Sequence, residues 1–313
     1  MAGDSRHVYD AIIPQPVMEG AGVRLKRSLG GFQLDYLDPF LLLDHFGSDD
    51  PADYLAGFPW HPHRGIETVT YMLAGEVDHR DSIGNSGSIG AGDVQWMTAG
   101  GGIMHEEMPR PREGRMAGFQ LWVNLPSALK MTEPRYQDVA AADIAEVRRD
   151  DGTVVRVVAG SVDGVEGPVR EIVAEPEYLD ITLPAHGRFA QSVPRGHSAF
   201  AYVFEGEGRF GVTGDGGADE AVGYRAEGAG TIAAAPRLLL FADGDEVRVE
   251  ADDTPVRFLL VSGKPLGEPI ARYGPFVMTT RAEIEQALRD LRADQFVWRD
   301  DPQWAAARKA ADG

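Results

Sequence analysis

The chain has 313 residues, of which 49 are acidic and 30 are basic, and its formal net charge is −19. A surface of that sign repels DNA, RNA and anionic lipid, so we expect no direct nucleic-acid partner and no membrane partner. The sequence contains no cysteine, which excludes disulfides, iron–sulfur clusters and thiolate catalysis and leaves histidine and carboxylate to bind any metal. The N-terminus lacks an apolar signal core and no long apolar run follows, so we expect a cytoplasmic protein.

Residues 9–126 predict a series of short β-strands. Segments such as 67–73, 94–97 and 119–125 are rich in β-branched and aromatic side chains, and Gly, Pro, Asp and Asn separate them. Strands at a spacing of about ten residues favour a β-sandwich or a β-barrel.

Two short motifs in this strand-rich region offer four candidate metal ligands. The first contains His61 and His63, and the second contains His105 and Glu107. Because residues i and i+2 of a strand point to the same face, each pair would project into the interior, whereas Glu106 would point away. Three imidazoles and one carboxylate suit iron, manganese, nickel, copper or zinc, and suit magnesium or calcium poorly. Either motif alone is often a surface feature, but their combination favours a metal site.

The following segment, residues 127–150, is more polar and predicts a connection, after which strand-like sequence resumes at residues 153–158. The length of the chain suggests two domains. The pattern Tyr-x-x-x-Gly-Glu occurs at Tyr71 and again at Tyr202, which indicates an internal duplication. This offset aligns the four candidate ligands with Ser192, Pro194, Pro236 and Leu238, so we expect the second copy to bind no metal.

The hydrophobic period becomes helical near the C-terminus. Thr280 and Glu283 have the spacing of a capping box, and Ile284, Leu288 and Leu291 recur at helical intervals. We expect a structural helix that packs its apolar side on a sheet.

Together, these motifs resemble the pirin family of the cupin superfamily. The resemblance covers nearly the whole chain and is found in six segments, residues 37–44, 61–68, 95–100, 105–109, 121–125 and 269–278. It implies an all-β fold of two tandem cupin domains, which are small antiparallel β-barrels, with a C-terminal helix. The implied domains are a metal-binding cupin domain at residues 1–140 and a metal-free cupin domain with the helix at residues 141–313.

The resemblance also implies ligand roles for His61, His63, His105 and Glu107, with Fe(II) as the metal and Mn, Ni, Cu or Zn as alternatives. Glu107 is in addition the candidate catalytic residue. Glu67 occupies the usual carboxylate-ligand position of other cupins but is not a ligand in pirins, so we expect it to have a supporting or structural role.

Two classes of function follow from the resemblance. One is an Fe(II)-dependent dioxygenase that opens quercetin or a related flavonol, with a small aromatic substrate bound at the metal. The other is a non-catalytic, iron-dependent redox sensor that binds a transcription factor or a metabolic enzyme. A metal-binding protein with a different small-molecule substrate is a third possibility. The sequence supports the metal site better than it supports turnover.

Overall fold

A computed structural model of the chain describes residues 3–110, 114–213 and 230–300. These residues form two compact units. The N-unit contains residues 15–141 and the described residues from 266 onward, and the C-unit contains residues 3–14 and the described residues of 142–265. Strands dominate both units, so the predicted all-β class with one C-terminal helix is confirmed.

The described residues form twenty-five strands, one α-helix and two short 3-10 helices (Pro51–Asp53 and Ser127–Leu129). In chain order the strands and the helix are β1 (Val8–Ile12), β2 (Gln15–Glu19), β3 (Val23–Leu29), β4 (Phe40–Ser48), β5 (Phe58–His63), β6 (Ile66–Ala74), β7 (Val77–Asp81), β8 (Ser86–Ile89), β9 (Val94–Thr98), β10 (Ile103–Pro109), β11 (Met116–Asn124), β12 (Arg135–Val139), β13 (Ala145–Arg148), β14 (Val154–Ala159), β15 (Ser161–Val162), β16 (Val165–Glu166), β17 (Glu177–Leu183), β18 (Arg188–Ser192), β19 (Ser198–Phe210), β20 (Thr231–Ala234), β21 (Arg237–Phe241), β22 (Glu246–Glu250), β23 (Val256–Gly263), β24 (Ala271–Tyr273), β25 (Phe276–Met278) and α1 (Arg281–Arg292).

The N-unit contains a seven-stranded sheet, in the order β12-β9-β6-β11-β4-β3-β2, and a four-stranded sheet, in the order β5-β10-β7-β8. Side chains of both sheets line one interior. A buried apolar cluster closes one part of it and includes Ile66, Met97, Ile103 and Val277. Val277 belongs to the short β24-β25 hairpin, so residues late in the chain complete the core of this unit.

The C-unit repeats the strand order of the N-unit. Its main path, β1-β21-β19-β23-β17-β14-β13, matches the seven-stranded sheet position by position, and β18, β22, the end of β19 and β20 match the four-stranded sheet. Tyr71 lies on β6 and Tyr202 on β19, the third strand of each path. The repeated Tyr-x-x-x-Gly-Glu pattern therefore falls on structurally equivalent strands.

The two compact units exchange their terminal segments relative to the two contiguous domains predicted at residues 1–140 and 141–313. Strand β1 pairs with β21, which ties the N-terminal segment to the C-unit. Helix α1 packs on β24 and β25 in the N-unit. Backbone hydrogen bonding places the first strand in this way, and apolar packing places the helix. Both act between segments that are far apart along the chain.

Helix α1 begins at the predicted capping box. The Thr280 hydroxyl accepts a hydrogen bond from the Glu283 backbone, and the Glu283 carboxylate accepts one from the Thr280 backbone. Ile284 is buried as predicted, but Leu291 is exposed and the buried position beside it belongs to Asp290. Asp290 faces inward because a buried arginine, Arg64, pairs with it. Within the described ranges, no helix has the length and apolarity that crossing a bilayer requires.

Candidate metal centre

Neighbouring strands β5 and β10 of the four-stranded sheet carry the candidate ligands. In their antiparallel register His105 lies opposite His61, and Ile103 lies opposite His63. The register shifts between His105 and Glu107, because β5 takes three residues where β10 takes two. This β-bulge bends β5 beside the site, as bulges near functional positions commonly do.

The structure brings the three histidines together. Each imidazole offers a nitrogen atom that lies within 4.8 Å of the nitrogens of the other two. The ring centroids of His61 and His105 are 4.3 Å apart, and those of His63 and His105 are 5.0 Å apart. His63 and His105 are buried, whereas His61 is partly exposed. Within the described residues this is the one cluster of three side chains suited to hold a metal ion.

The hydrogen bonding of these imidazoles is incomplete without a further partner. Nδ1 of His61 lies 3.0 Å from the Pro59 carbonyl oxygen, so it donates there and directs Nε2 as the lone-pair nitrogen. Both ring nitrogens of His105, and Nδ1 of His63, are buried and have no hydrogen-bond partner. Buried polar atoms are normally paired, and a bound cation would supply the missing partner.

The electrostatics of the cluster also fit a metal. Burial lowers the pKa of His63 well below the ordinary histidine value, and the neighbouring His61 and His105 lower that pKa further. Burial lowers the pKa of His105 in the same way, with smaller contributions from His61 and His79. Both rings are therefore neutral at physiological pH, and the neutral imidazole is the form that binds a metal.

Glu107 lies on the same face of β10 as His105, but outside the tight group of nitrogens. Its side chain lines the cavity beside the histidines, and Oε1 accepts a hydrogen bond of 3.1 Å from the Thr70 hydroxyl. Glu106 pairs with Arg80 away from the cavity, as strand alternation predicts. The structure thus brings three of the four predicted ligands into one cluster and places the fourth at its edge.

Glu67 is separate from this cavity. Its carboxylate accepts hydrogen bonds from Nε1 of Trp96, at 3.1 Å, and from the Thr98 hydroxyl, at 2.8 Å. Burial raises the pKa of Glu67, and these two hydrogen bonds partly offset that effect. Both of its partners come from β9, so the side chain links adjacent strands, in keeping with the structural role expected for it.

Next to the histidines is a cavity of about 510 Å³. Its apolar wall includes Phe46, Phe58 and Trp122, and the Trp122 ring meets the His63 ring edge-on at 5.2 Å. Four charged side chains besides Glu107 complete the lining, namely Glu19, Arg27, Asp44 and Arg272. The pocket therefore combines a flat aromatic wall with both signs of charge.

Arg27 joins three of these charged groups. Its guanidinium donates two hydrogen bonds to Asp44, at 2.8 and 2.6 Å, and a third to Glu19, at 2.7 Å. Sequence reasoning missed this lining. Asp44 and Arg272 do belong to the segments 37–44 and 269–278 that carry the family resemblance. Nothing along the chain shows that these segments meet at one cavity, because more than two hundred residues separate them.

The environment of His79 is another feature that the sequence conceals. Its charged neighbours suggest a surface position, but His79 is buried on β7 directly opposite Glu107. Its Nε2 lies 3.0 Å from the side-chain nitrogen of Gln95. Alternation along β7 explains the difference, since Asp78 and Arg80 lie on the outer face while His79 faces inward.

The equivalent strands of the C-unit carry a different set of inward side chains. On β18 these are Phe189 and Gln191, and on β22 they are Val247 and Val249. Phe189 and both valines pack in the apolar core of that unit. The constant offset that pointed to Ser192, Pro194, Pro236 and Leu238 is wrong in detail, because the loops of the two units differ in length. Neither set of positions contains a histidine or a carboxylate, so we still expect the second copy to bind no metal.

Comparison with known proteins agrees with this architecture. Residues 22–123 match the pirin family, and residues 178–297 match the pirin C-terminal cupin domain. A Pseudomonas aeruginosa protein named "Putative quercetin 2,3-dioxygenase" is 44% identical over 292 residues, which cover 92% of this chain and 96% of that protein. A pirin-like protein of Caulobacter vibrioides is also 44% identical, over 93% of this chain and 99% of its own length.

Among solved structures, a quercetin 2,3-dioxygenase from Acinetobacter baumannii superimposes with a TM-score of 0.81 at 33% identity. The match covers 93% of this chain and 98% of that one. Both domain matches, the identity of the relatives and the duplicated sheets lead to one assignment. The chain belongs to the pirin family and consists of two cupin domains.

Proposed function

We propose that this pirin is a metal-dependent dioxygenase of the quercetin 2,3-dioxygenase type. Its metal would be Fe(II), held by His61, His63, His105 and Glu107. The observation that carries the proposal is a group of three imidazoles beside an aromatic cavity, each with a nitrogen within 4.8 Å of the other two. Two of these rings, His63 and His105, are buried and have nitrogens without a hydrogen-bond partner. The names of a 44% identical relative and of a 33% identical solved structure support the same reaction class.

The ion, when bound, would act as a Lewis acid for a substrate hydroxyl and bring O₂ close to the activated ring. The protein orients its ligands in advance. The Pro59 carbonyl fixes the His61 ring, and Thr70 holds one carboxylate oxygen of Glu107. The other oxygen of Glu107 is then available to bind the ion or to accept the proton of a substrate hydroxyl. Glu107 is for this reason the proposed catalytic residue.

The cavity suits a planar aromatic molecule. Its volume of about 510 Å³ falls within the range of about 300–1,000 Å³ that is typical of small-molecule sites. Phe46, Phe58 and Trp122 supply flat apolar surface, and the Trp122 ring lies against the His63 ring. A flavonol would bury its rings against this wall and present its hydroxyl and keto oxygens to the ion.

The test combines metal analysis with oxygen consumption. The protein is purified without added metal, its bound metal is measured by mass spectrometry, and O₂ uptake with quercetin is recorded after loading with Fe(II). We expect uptake that depends on Fe(II) and that is abolished in His61→Ala. His186→Ala is the matched control, because His186 is exposed in the C-unit. Uptake that persists in metal-verified His61→Ala would exclude the proposed ligands. Bound iron without any uptake would reject the dioxygenase and favour the redox-sensing regulator.

A further inference from the structure

Arg272 is the cavity-lining cation that the proposed reaction does not use. It lies on β24 and contributes to the wall of the cavity that His61, His63 and Glu107 also line. It also lines a neighbouring cavity of about 490 Å³, next to Tyr36 and Leu41. The guanidinium is thus accessible from the space in which a substrate would bind.

Two contacts fix the position of this side chain. Nη1 of Arg272 donates a hydrogen bond of 3.1 Å to the Leu41 carbonyl oxygen. The guanidinium carbon lies 5.2 Å from the centre of the Trp122 ring, which is a cation–π distance. Because Trp122 also contacts the His63 ring at 5.2 Å, a single indole bridges the metal cluster and the cation. A substrate that stacks near Trp122 reaches both.

Arg272 and Arg27 both line the cavity, but they differ in their ion pairs. Two carboxylates, those of Glu19 and Asp44, already neutralise Arg27. Among the described residues no carboxylate forms an ion pair with Arg272. Its guanidinium has five N–H donors, and the hydrogen bond to the Leu41 carbonyl oxygen engages one of them. A half-buried, positioned cation of this kind is suited to bind an oxyanion with two parallel hydrogen bonds.

We propose that Arg272 determines specificity by binding an anionic group of the substrate. The preferred ligand is then an aromatic enol or hydroxyketone that also carries a carboxylate or a sulfonate away from its metal-binding oxygens. This inference rests on the proposed function, because it assigns the substrate class of the same cavity. It concerns binding, however, and is separable from turnover.

The test uses quercetin and a B-ring sulfonate of quercetin as paired probes. Their dissociation constants are measured by quenching of tryptophan fluorescence, under anaerobic conditions, for the Fe(II)-loaded protein and for the metal-free protein. Loss of charge-assisted hydrogen bonds corresponds to an affinity loss of roughly tenfold or more. We expect Arg272→Met to raise the dissociation constant of the sulfonate by at least about tenfold and to change that of quercetin by less than about twofold. Arg272→Lys, which keeps the charge, should recover part of the sulfonate affinity.

Arg24→Met is the matched control. Arg24 lies on β3 of the same unit, but it is exposed, pairs with Asp53 at 3.1 Å and does not line the cavity. This variant should bind both probes as the unchanged protein does. Thermal unfolding and metal content show whether Arg272→Met is misfolded. If it is, the probe affinities of Arg272→Lys are compared with those of the unchanged protein, and a selective loss of sulfonate affinity supports the inference.

Equal weakening of both probes by Arg272→Met, or no weakening of either, would overturn the inference. The two proposals also fail independently. Selective loss of sulfonate binding without any O₂ uptake would leave the inference intact and remove the dioxygenase. O₂ uptake by the unchanged protein, together with equal effects of Arg272→Met on both probes, would support the dioxygenase and overturn the inference about Arg272.

Discussion

His105 is the most deeply buried side chain of the candidate metal centre. It is buried, and neither of its ring nitrogens has a hydrogen-bond partner within the described residues. A buried polar atom without a partner destabilises a fold by about 1–3 kcal/mol. In the metal-free protein this imidazole therefore opposes folding, and an ion bound at the cluster would reverse that effect.

We predict that His105→Leu removes metal binding without lowering the stability of the metal-free protein. Leucine fills similar space and leaves no unpaired polar atom, so the free energy of unfolding should stay equal or rise by about 1 kcal/mol. Metal analysis and urea unfolding measure the two effects. A loss of more than about 2 kcal/mol, as for a cavity-forming change, would show that His105 has hydrogen-bond partners in the fold.

The lowered pKa values of His63 and His105 predict how stability depends on pH. Each ring is neutral in the folded protein at a pH where the unfolded chain, with a histidine pKa of about 6.5, begins to bind protons. Protons then favour the unfolded state. Stability is complete above about pH 6.5 and falls as the pH decreases toward the folded pKa values.

Urea unfolding of the metal-free protein between about pH 8 and pH 5 tests this dependence. We expect His105→Leu to show a shallower decline than the unchanged protein, because one of the histidines with a lowered pKa is gone. His186→Gln changes an exposed histidine and should not alter the slope. Parallel curves for the unchanged protein and His105→Leu would contradict the assignment.

At the scale of elements, the C-terminal segment packs against the end of β5, the strand that carries His61 and His63. Arg64 follows His63 and is buried. Its Nη1 pairs with Asp290 of α1 at 2.8 Å, and its Nη2 donates to the Phe296 carbonyl oxygen at 2.8 Å. The adjacent Gly65 has φ of +79°, and a Cβ there would lie 2.0 Å from the Val277 carbonyl oxygen. Glycine thus lets the β24-β25 hairpin approach the site.

We predict that Asp290→Asn destabilises the protein by about 3–5 kcal/mol, because it leaves the Arg64 charge buried without a counter-charge. Metal content after refolding should also decrease, since Arg64 adjoins His63. Asp294→Asn makes the same chemical change at an exposed position just after the helix and should be nearly neutral. Denaturant unfolding measures the free energy of unfolding of both variants. Equal values would show that the Arg64–Asp290 pair contributes little to stability.

At the scale of the whole molecule, the chain is a duplication with unequal copies. The two units share strand order, but the positions that hold imidazoles on β5 and β10 are filled on β18 and β22 by an apolar core with Gln191. Phenylalanine and valine side chains offer no donor atom to a metal, so we expect the C-unit to bind none.

This asymmetry predicts one metal ion per chain. Titration of the metal-free protein with Fe(II), or with Ni(II) as a stable substitute, should saturate at one equivalent when followed by calorimetry and metal analysis. His61→Ala should remove that equivalent, whereas Gln191→Ala in the C-unit should leave it unchanged. A second tight equivalent that survives in His61→Ala would contradict a metal-free C-unit.

Local patterns in the sequence were sufficient for several features. Residues two apart on a strand share a face, so the histidine pairs could be placed without a structure. Capping chemistry likewise located the start of α1 at Thr280. Local patterns failed for Leu291 and His79. At these positions a distant partner, Arg64 beside Asp290 or Gln95 beside His79, decides which side chain faces inward.

By itself, the sequence determined the all-β class and the identity of the candidate ligands, because strand periodicity and donor chemistry are local properties. One repeated six-residue pattern suggested the duplication, and the matching strand orders established it. Only the tertiary structure decided which strands became neighbours, where Glu107 stands relative to the three imidazoles, and that Arg272 and Trp122 share their cavity. It also decided that the first strand joins the C-unit and the last helix the N-unit. Hydrogen bonding and burial act between segments that are distant along the chain, and no local pattern records those pairings.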